Sequence, residues 1–543
     1  MVRPPGGEAV GSPIDDLRGI EALALATLAA DALGVAGRAL DLAVAHARQR
    51  EQFGRPIGSF QAVQHLLADA AVLVEGMRSC TWHAAWAASA LEPAGALLAA
   101  RQAKAWCGRG ARRVVEIAVQ CLGGIAITHE HPAHLLLRRA LLDDALFGTA
   151  ATHLTELAIR FPEGQGNLIA SSGGGGGGLD YADSVEEADL RRRLRGWLET
   201  VEHDGDGDDP EVRHRWHRVL AEAGWVGLSL QGGTVVDEAI VNEELARAGA
   251  PPAPPIGHLA HAIRLYGRDD QRRALLPPLL AGTERWCQGF SEPGAGSDLA
   301  AIATRAELGD DGRYRVTGQK VWTSEAVWAD HCLLLARTEP DEPAHRGLSM
   351  LVVPMRAPGV DVRPITTAYG THEFAEVFLD DVVVPADDLL GRPGQGWEIA
   401  MALLGFERGP SDIGWTARLG RRLADLEASV RDGRREATPV QRQALAEAWC
   451  DLETLRLHVL RTTHARRDGR APGPEGSIDK LLMIEADQRL GHVVLDLLGA
   501  EAVLDESAAF PGYVWSRAQS IFGGTQQVQR TIVATRLLGL PRS

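Results

Sequence analysis

The sequence predicts a mostly α-helical protein with a central β domain, and three observations carry that prediction. Long Ala- and Leu-rich segments with apolar residues at helical spacing lie at both ends of the chain. Residues 286–390 change to alternating and short apolar runs, which are typical of strands. An unbroken run of six glycines, Gly173 to Gly178, separates the first helical block from the rest. At 543 residues the chain is too long for one hydrophobic core, so several domains are expected.

The composition argues against several classes of function. The formal net charge is −16, from 72 acidic and 56 basic residues, which argues against nucleic acid as the main partner. The six cysteines show no Cys-x-x-Cys spacing and are typical of reduced thiols. The N-terminus has no apolar signal region, and no uninterrupted apolar run approaches membrane-spanning length. A cytoplasmic protein with no membrane partner is therefore expected.

Residues 1–160 are predicted to form a bundle of four or five helices, with the first two over Ile20–Gln49 and Phe60–Leu91. Glycines and a proline between these two helices break the helical pattern and leave Arg50 and Phe53 at its end. An arginine there can bind a phosphate through two N–H groups, and a phenyl ring can pack on a sugar or a base. The alternative is a charged last helical turn in which the arginine interacts with the helix dipole.

Residues 161–183 contain the glycine run and are predicted to be a flexible linker. A phosphate-binding loop is disfavoured there because the Lys-Ser/Thr ending of such loops is missing. Residues 184–285 show shorter amphipathic helices punctuated by proline pairs. The predicted helices of this domain include Val185–Thr200, Glu211–Gly224, Val235–Gly249 and Asp269–Leu280.

Residues 286–390 are predicted to form a small β barrel or sandwich. Its predicted strands are Arg313–Val316, His331–Leu335, Leu348–Val353, Val360–Pro364, Glu373–Phe378 and Val382–Val384. A helix over Trp397–Gly409 follows, and a second bundle of four or five helices extends to the end of the region 391–543.

Two stretches of the β domain have the features of a ligand site. Gly294 and Gly296 carry no Cβ, so their backbone can approach a bulky anionic ligand closely. Trp322 can offer a flat face to a ring system, and Thr323 and Ser324 can offer hydroxyl and amide groups to the polar edge of that ring system. A glycine-rich turn alone is more typical of a plain hairpin connection, so it is the two stretches together that indicate a site.

These stretches, FSEPGAGSD and GQKVWTS, resemble the flavin-binding segments of the acyl-CoA dehydrogenase family, and SIFGGTQQVQRTIVATRLLGLP resembles the closing helix of that family. The resemblance covers nearly the whole chain and implies a helical domain, a β barrel or sandwich and a four-helix bundle, with FAD as the cofactor. It places Ser297 where the cofactor meets the acyl-CoA. The residues that it assigns to the flavin ring are Gln288, Phe290, Ser291, Trp322, Thr323 and Ser324.

The first bundle resembles the C-terminal domain of the same family, so the chain is similar to one complete dehydrogenase preceded by an extra four-helix bundle. In the family, an Arg-x-x-Phe-Gly segment and a Gln-x-x-Gly-Gly-x-Gly segment contact the FAD of a neighbouring subunit. Ala126 replaces the last glycine of the second segment. The residues that the resemblance assigns to the pyrophosphate and adenosine half of FAD are Arg50, Phe53, Phe60, Gln61, Gln120, Gly123 and Gly124.

The two bundles complement each other. In the second bundle the turn 431–437 has no Phe-Gly, and residues 497–501 lack the second glycine pattern. The first bundle keeps both patterns, but it has Ala24 and Phe147 at the positions of the family's two catalytic carboxylates. We therefore predict that the first bundle is a covalently attached pseudo-partner that completes one FAD site per chain. This organisation is similar to that of actinobacterial family members that pair unlike subunits in steroid side-chain degradation.

Dehydrogenation of an acyl thioester requires a carboxylate that takes the α-proton. At the family's usual place, before Gly-Thr in the closing segment, this chain has Gly523, whereas Glu407 occupies the alternative Glu-Arg position. Glu407 follows an apolar helical face, and a dry pocket makes a carboxylate a better base. The alternative is a solvated glutamate paired with an arginine. The resemblance also places Thr525 and Gln527 at the adenosine half of FAD, and Arg408, Gly523 and Gly524 on the substrate side.

The sequence thus predicts FAD-dependent α,β-dehydrogenation of an acyl-CoA to the enoyl-CoA, with electrons passed to an electron-transfer flavoprotein. Two alternatives stay open: a flavin-dependent oxidase or monooxygenase on the same fold, and a catalytically degenerate scaffold subunit. The identity of the acyl group and a further homodimer of whole chains also stay open. The segment His129–His134 has metal-ligand residue types, but the family carries a similar segment without metal, so no metal is expected.

Overall fold

The computed structural model describes residues 17–160, 183–203, 209–407, 409–504 and 509–542. Residues 161–182 of the predicted linker over 161–183 and the predicted substrate residue Arg408 lie outside these ranges. Within them, the predicted class is confirmed: helices dominate and surround a central β sheet.

The first bundle begins with three long helices that pack on one another. Its helices are α1 (Arg18–Gln49), α2 (Gln61–Ala90), α3 (Pro93–Leu122), α4 (Ala133–Ala145) and α5 (Ala150–Arg160). Strands β1 (Glu51–Gln52) and β2 (Arg55–Pro56) form a small hairpin between α1 and α2. By length and composition, α1 is the one helix of the described ranges that could cross a membrane. Here its alanine-rich face is buried in the core of the bundle, as in a core helix of a globular protein.

The next domain consists of five shorter helices. They are α6 (Val185–Leu198), α7 (Pro210–Glu222), α8 (Val235–Ala248), α9 (Gly257–Tyr266) and α10 (Asp269–Ala281). Ser184 and Thr234 begin α6 and α8 with capping boxes, which satisfy the first backbone N–H groups of each helix. Helix α9, which follows the proline pairs, was not among the helices that the sequence pattern predicted.

The β domain is one eight-stranded sheet in which β3 pairs in parallel with β6 and the remaining strands follow the order β10-β7-β6-β4-β5-β9-β8. Its strands are β3 (Trp286–Gly289), β4 (Arg305–Leu308), β5 (Arg313–Ser324), β6 (His331–Arg337), β7 (Leu348–Pro354), β8 (Val360–Ile365), β9 (Phe374–Pro385) and β10 (Leu389–Leu390). The last two predicted strands are a single strand, β9. Asp381 has a left-handed backbone (φ 52°), so β9 bends there and still pairs with β5 on both sides of the bend.

The second bundle follows the sheet. Its helices are α11 (Gly396–Phe406), α12 (Pro410–Arg431), α13 (Pro439–His464), α14 (Gly476–Leu498), α15 (Ala509–Ala518) and α16 (Gln526–Ile532), and α16 continues as a π-helical turn over Val533–Leu537. Helix α11 ends before the predicted Gly409, because Gly409 has a positive φ of 107° and Pro410 begins the next helix. Glu407 therefore lies at a helix end.

The two bundles share one hydrophobic core. Polar contacts also join them: Gln102 donates to Thr454 (3.0 Å), and Arg109 pairs with Asp451 (2.5 Å). Arg461 on α13 pairs with Glu75 on α2. The first bundle is thus packed against the dehydrogenase-like unit within one chain, in the arrangement that the pseudo-partner hypothesis requires.

Candidate active site

The two flavin-type stretches lie side by side. Strand β3 leads into residues 290–298, and the backbone N–H of Val321 on β5 donates to the carbonyl of Ser291 (2.9 Å). A Cβ placed on Gly294 or Gly296 would meet no other atom within 4 Å, so the loop surface there is open. The glycines therefore leave room for a ligand beside the strand that carries Trp322.

A buried ion pair that the sequence analysis did not identify holds these two stretches together. The Nζ atom of Lys320 donates to Glu292 Oε1 (2.8 Å) and to the carbonyl of Phe290 (3.1 Å). Glu292 also accepts the backbone N–H groups of Ala303 (2.6 Å) and Thr304 (2.9 Å). Burial alone would raise the pKa of Glu292, but the Lys320 ammonium and these N–H groups outweigh it and lower that pKa. The carboxylate is thus ionised and fixes the loop on the sheet.

Three predicted flavin residues present groups that suit a ring system with a polar edge. Trp322 is 60% exposed and has a positive φ of 60°, which an aromatic residue rarely adopts without a structural reason. Thr323 is buried, and its Oγ1 atom has no hydrogen-bond partner within the described part of the chain. Gln288 is half-buried on β3. An isoalloxazine ring, which is flat and has hydrogen-bonding atoms at one edge, fits this donor and acceptor set.

The other residues predicted on this wall differ in exposure. The ring of Phe290 is buried in the core beneath the site, so a ligand could reach this residue only through its backbone. Ser291 is half-buried, whereas Ser297 and Ser324 are exposed. Both exposed serines keep their predicted roles as hypotheses.

Glu407 lies at the end of α11, half-buried, and its Oε2 atom is enclosed without a hydrogen-bond partner from the described residues. His258 on α9 lies close to both Glu407 and Gln288. Burial lowers the pKa of His258, and the Glu407 carboxylate and the Gln288 side chain act in the opposite direction. His258, which the sequence analysis missed, is therefore a neighbour of both the candidate base and the flavin wall.

A row of aromatic rings connects the flavin wall to the closing segment. The ring of Trp322 meets Phe374 edge-on (6.3 Å between centroids), and Phe374 stacks with Trp515 (6.5 Å). Trp515 then contacts Phe522 (5.4 Å) and Trp415 (6.4 Å). The β domain and the second bundle thus form one continuous surface around the site.

The closing segment makes a tight turn at Gly523 and Gly524, which have φ values of 59° and 84°. Both glycine carbonyls accept from Gln529 Nε2 (2.9 and 3.2 Å). The positive φ of Gly524 favours glycine there, and a Cβ would also lie 2.6 Å from that nitrogen. Thr525 begins α16 by accepting the backbone N–H of Val528 (3.3 Å), and Gln527 is exposed on the first turn.

The first bundle presents its predicted FAD residues at one end. Phe53 is 94% exposed with a positive φ of 55°, and Arg50 and Gln61 are exposed beside it. Phe60 is half-buried under the guanidinium of Arg55 (4.2 Å). Because α2 and α3 form a helical hairpin, the loop after α3 lies at the same end of the bundle. The predicted FAD residues at that loop are exposed: Gln120, Gly123 and Gly124.

Helix α2 brings this end of the bundle to the closing segment. His65, one turn after Gln61, contacts Thr531 Oγ1 (3.3 Å) and lies at the backbone carbonyl of Gln527. Gln64 donates to the carbonyl of Pro541 (2.8 Å). The predicted residues of the first bundle therefore adjoin those of the second. Across the described ranges, no group of three or more His, Cys, Asp or Glu residues could hold a metal ion.

An open glycine loop, an exposed tryptophan and a half-buried carboxylate fit the class of flavoprotein oxidoreductases. Family models for the acyl-CoA dehydrogenase C-terminal domain match residues 24–161 and 394–538. The models for the middle and N-terminal domains of this family match residues 287–382 and 175–283. The chain belongs to the acyl-CoA dehydrogenase family, with the C-terminal domain present twice.

Individual relatives agree with this assignment. Acyl-CoA dehydrogenase FadE34 of Mycobacterium tuberculosis is 34% identical over 541 residues, covering 96% of this chain and 71% of the relative. Acyl-CoA dehydrogenase IpdE1 of Mycolicibacterium smegmatis is 37% identical and covers 66% of this chain and 99% of the relative. Among solved structures, the steroid acyl-CoA dehydrogenase Tcur3481-Tcur3483 has a TM-score of 0.59 at 28% identity and covers 66% of this chain and 99% of that chain. The ChsE4-ChsE5 complex of M. tuberculosis has a TM-score of 0.57 at 28% identity, over 67% of this chain and 100% of that chain.

Proposed function

We propose that this protein catalyses the FAD-dependent α,β-dehydrogenation of an acyl-CoA thioester to the enoyl-CoA, with Glu407 as the base. The observation that carries the proposal is the position of Glu407. Its Oε2 atom is enclosed and unpaired within the described ranges, and His258 is close both to Glu407 and to Gln288 on the flavin wall. A carboxylate in that setting is placed to accept a proton from a substrate held against the flavin wall.

Each group of this chain has one task in the reaction. When bound, FAD supplies the acceptor for the hydride that leaves the β-carbon. Glu407 accepts the α-proton, and Thr323 Oγ1 and the Trp322 ring orient the flat cofactor. The turn at Gly523 and Gly524, fixed by Gln529, binds the thioester carbonyl through its backbone. Arg408 stays a predicted substrate residue.

The first bundle would bind the other half of the cofactor. Arg50 is available for the pyrophosphate, and the exposed ring of Phe53 for the adenosine. Gln61, Gln120, Gly123 and Gly124 complete this predicted surface. Because the bundle is part of the same chain, its effective concentration at the site does not depend on protein concentration. One chain would then hold one FAD.

We further infer that electrons pass from the reduced cofactor to an electron-transfer flavoprotein. We also infer that the enzyme is cytoplasmic, since all six cysteines are free and buried. The similar structure of Tcur3481-Tcur3483 is that of a steroid acyl-CoA dehydrogenase, which supports a bulky ring-containing acyl group for this chain.

The test is the visible spectrum of the purified full chain, with flavin quantified per chain, before and after anaerobic addition of a panel of acyl-CoAs. We expect a single FAD per chain and bleaching by at least one ring-containing acyl-CoA. A chain that stays colourless after reconstitution with FAD would contradict the proposal and favour a scaffold. Rapid oxygen consumption after reduction, in place of transfer to an electron-transfer flavoprotein, would favour an oxidase.

A further inference from the structure

A buried lysine lies under the closing segment of the second bundle. Lys480 on α14 is 1% exposed, and its Nζ atom donates to Oε1 of Gln519 (2.8 Å). The same nitrogen lies 4.3 Å from the ring centre of Phe522. Phe522 directly precedes Gly523, which is part of the turn proposed to bind the thioester carbonyl. A positive charge thus lies beside that turn, in a part of the protein where water screens it little.

Two arginines add to this charge. Asp487 on α14 is buried, and burial raises the pKa of its carboxyl to about 6. Arg422 on α12, Arg517 on α15 and Lys480 act on that pKa in the opposite direction. Asp487 is therefore largely ionised at pH 7, but it faces three cations. These four groups, which we call the Lys480 cluster, carry a net positive charge.

The Lys480 cluster adjoins the row of aromatic rings that leads to the flavin wall. Trp515 lies on the same helix as Arg517 and contacts Phe522 (5.4 Å). Phe374 stacks with Trp515 and meets Trp322 edge-on. The cluster therefore lies at the end of the candidate site where the closing turn approaches the substrate.

The first bundle contains an equivalent lysine in a different electrostatic setting. Lys104 and Lys480 stand at the same distance in sequence from the glycines that cap their helices, and both hold a closing segment. Burial lowers the pKa of Lys104, and the carboxylates of Asp144 and Asp143 act in the opposite direction. Two carboxylates thus accompany the lysine of the bundle that has no predicted base, whereas two arginines accompany Lys480. Anchoring a segment does not require that excess of positive charge.

We infer that the Lys480 cluster stabilises the negative charge that develops on the thioester oxygen as Glu407 removes the α-proton. This inference rests on the proposed dehydrogenation. In that step the α-C–H bond breaks, the proton passes to Glu407, and the electron pair moves towards the carbonyl oxygen at the closing turn. Lys480 is thus a positioning residue, which holds the turn through Gln519 and Phe522 and makes it electropositive.

A thioester that can lose its α-proton but cannot be dehydrogenated tests this inference on the full FAD-loaded chain. The probes are 3-thiaoctanoyl-CoA and (cyclohexylmethylthio)acetyl-CoA, which have sulfur in place of the β-carbon. Their enolates give a long-wavelength absorption band beside oxidised flavin, and the midpoint pH of that band is the apparent pKa of the bound α-proton. Absence of the band from the parent chain with both probes would contradict the proposed dehydrogenation.

Lys480→Met removes the charge and keeps most of the side-chain volume. We expect the midpoint of the band to move to higher pH by about one unit, a tenfold change in the α-proton equilibrium. With the acyl-CoA that bleaches the flavin fastest, kcat should fall about tenfold and KM should change little. A midpoint equal to that of the parent chain would overturn this inference and leave the dehydrogenation intact.

Asp487→Asn changes the same cluster in the opposite sense. It removes a carboxylate whose burial is unfavourable, so the variant should fold, and it leaves all three cations in place. The band should therefore move to lower pH. A role of Lys480 as a mere anchor predicts no such shift, and a shift to higher pH would overturn the inference.

Lys104→Met is the matched control, because Lys104 is buried as fully as Lys480 and lies in the bundle without a predicted base. Both methionine variants should lower Tm, but the band midpoint should move only in Lys480→Met. Lys480→Arg keeps the charge and should keep the midpoint of the parent chain, so together with Asp487→Asn it tests the inference even if Lys480→Met does not bind FAD. An equal shift in Lys104→Met, or a shift to higher pH in Lys480→Arg as large as that in Lys480→Met, would overturn the role of the charge.

Discussion

The first and second bundles both match the family's C-terminal domain, but the connections between their first two long helices differ. In the first bundle the α1–α2 connection exposes the aromatic ring of Phe53 at a positive φ. In the second, the α12–α13 connection is a polar turn through Asp432 and Gly433, with Arg431 paired to Asp432 (3.2 Å). The exposed ring and the left-handed backbone of Phe53 both suit the adenosine contact proposed for this loop. The first bundle therefore keeps the loop proposed to bind FAD, and the second has a polar turn in its place.

A second difference concerns two equivalent lysines, both fully buried. Lys104 on α3 donates to the backbone carbonyls of Asp144 (2.8 Å) and Gly148 (2.9 Å) and so closes its own loop. Lys480 on α14 donates to Gln519 (2.8 Å) and lies under the ring of Phe522 (4.3 Å), beside the candidate site. In the first bundle the buried lysine holds the closing segment in place. In the second bundle the equivalent lysine contacts the closing segment beside the candidate site. If the proposed roles are right, we expect mutations to separate cofactor binding from chemistry.

The largest effect on turnover is expected from a mutation of the candidate base, Glu407. Glu407→Gln removes the proton acceptor and keeps the shape of the side chain, so kcat should fall by about 10² to 10⁴, while the FAD content of the chain stays normal. The measurement is the rate of flavin bleaching under anaerobic single-turnover conditions, with the flavin-to-protein ratio determined on the same samples.

A matched control lies on the same helix. Glu398 is exposed on the first turn of α11, and Glu398→Gln changes the same charge without touching the site. Near-normal bleaching in Glu407→Gln, or an equal loss in Glu398→Gln, would show that Glu407 is not the base.

A smaller effect is expected in the first bundle, where a mutation should weaken FAD binding and leave turnover intact. Phe53→Ala removes the ring proposed to pack on the adenosine, which should weaken FAD binding by about tenfold to a hundredfold. Turnover at saturating FAD should be retained, because the chemistry lies in the other half. FAD titration by fluorescence of the apoprotein, followed by turnover assays at high FAD, measures both quantities.

Arg431→Ala is the matched control for the first bundle, since Arg431 lies at the equivalent connection of the second bundle and is already paired with Asp432. We expect Arg431→Ala to leave FAD affinity unchanged and Arg50→Ala to reduce it. Equal effects of the two arginine variants would contradict the division of labour between the bundles.

The sequence predicted the parts that depend on local pattern. Long apolar periodicity predicted both bundles, and the two flavin-type stretches predicted the wall that carries Trp322. Helix α9 was missed because the proline pairs before it are typical of a loop, and with it His258 was missed. The Lys320 and Glu292 pair joins strand β5 to the loop after β3, and no spacing rule relates residues that meet only after folding. Such contacts require the tertiary structure.

The smallest effect concerns the interface between the bundles and depends on pH. The guanidinium groups of Arg461 and Arg78 bind Glu75, and although burial alone would raise the pKa of this carboxyl, they lower it below its ordinary value of 4.5. Because the folded-state pKa is the lower one, the stabilisation is complete above about pH 4.5 and is lost as the pH falls through the folded-state pKa. Glu75→Gln should therefore reduce the free energy of unfolding by about 1 to 2 kcal/mol at pH 7.

The difference between Glu75→Gln and the parent chain should shrink as the pH is lowered, because acid removes from the parent the same charge that the mutation removes. Chemical unfolding at a series of pH values measures this convergence. Glu116→Gln is the control. Glu116 is exposed on α3, and its ion-pair partners among the described residues are Arg112 and Arg113 of its own helix, so its loss should cost a few tenths of a kcal/mol at most. A difference that stays constant with pH would mean that Glu75 stabilises the interface by its shape and hydrogen bonds. The charge of Glu75 would then have no part in holding the first bundle against the second.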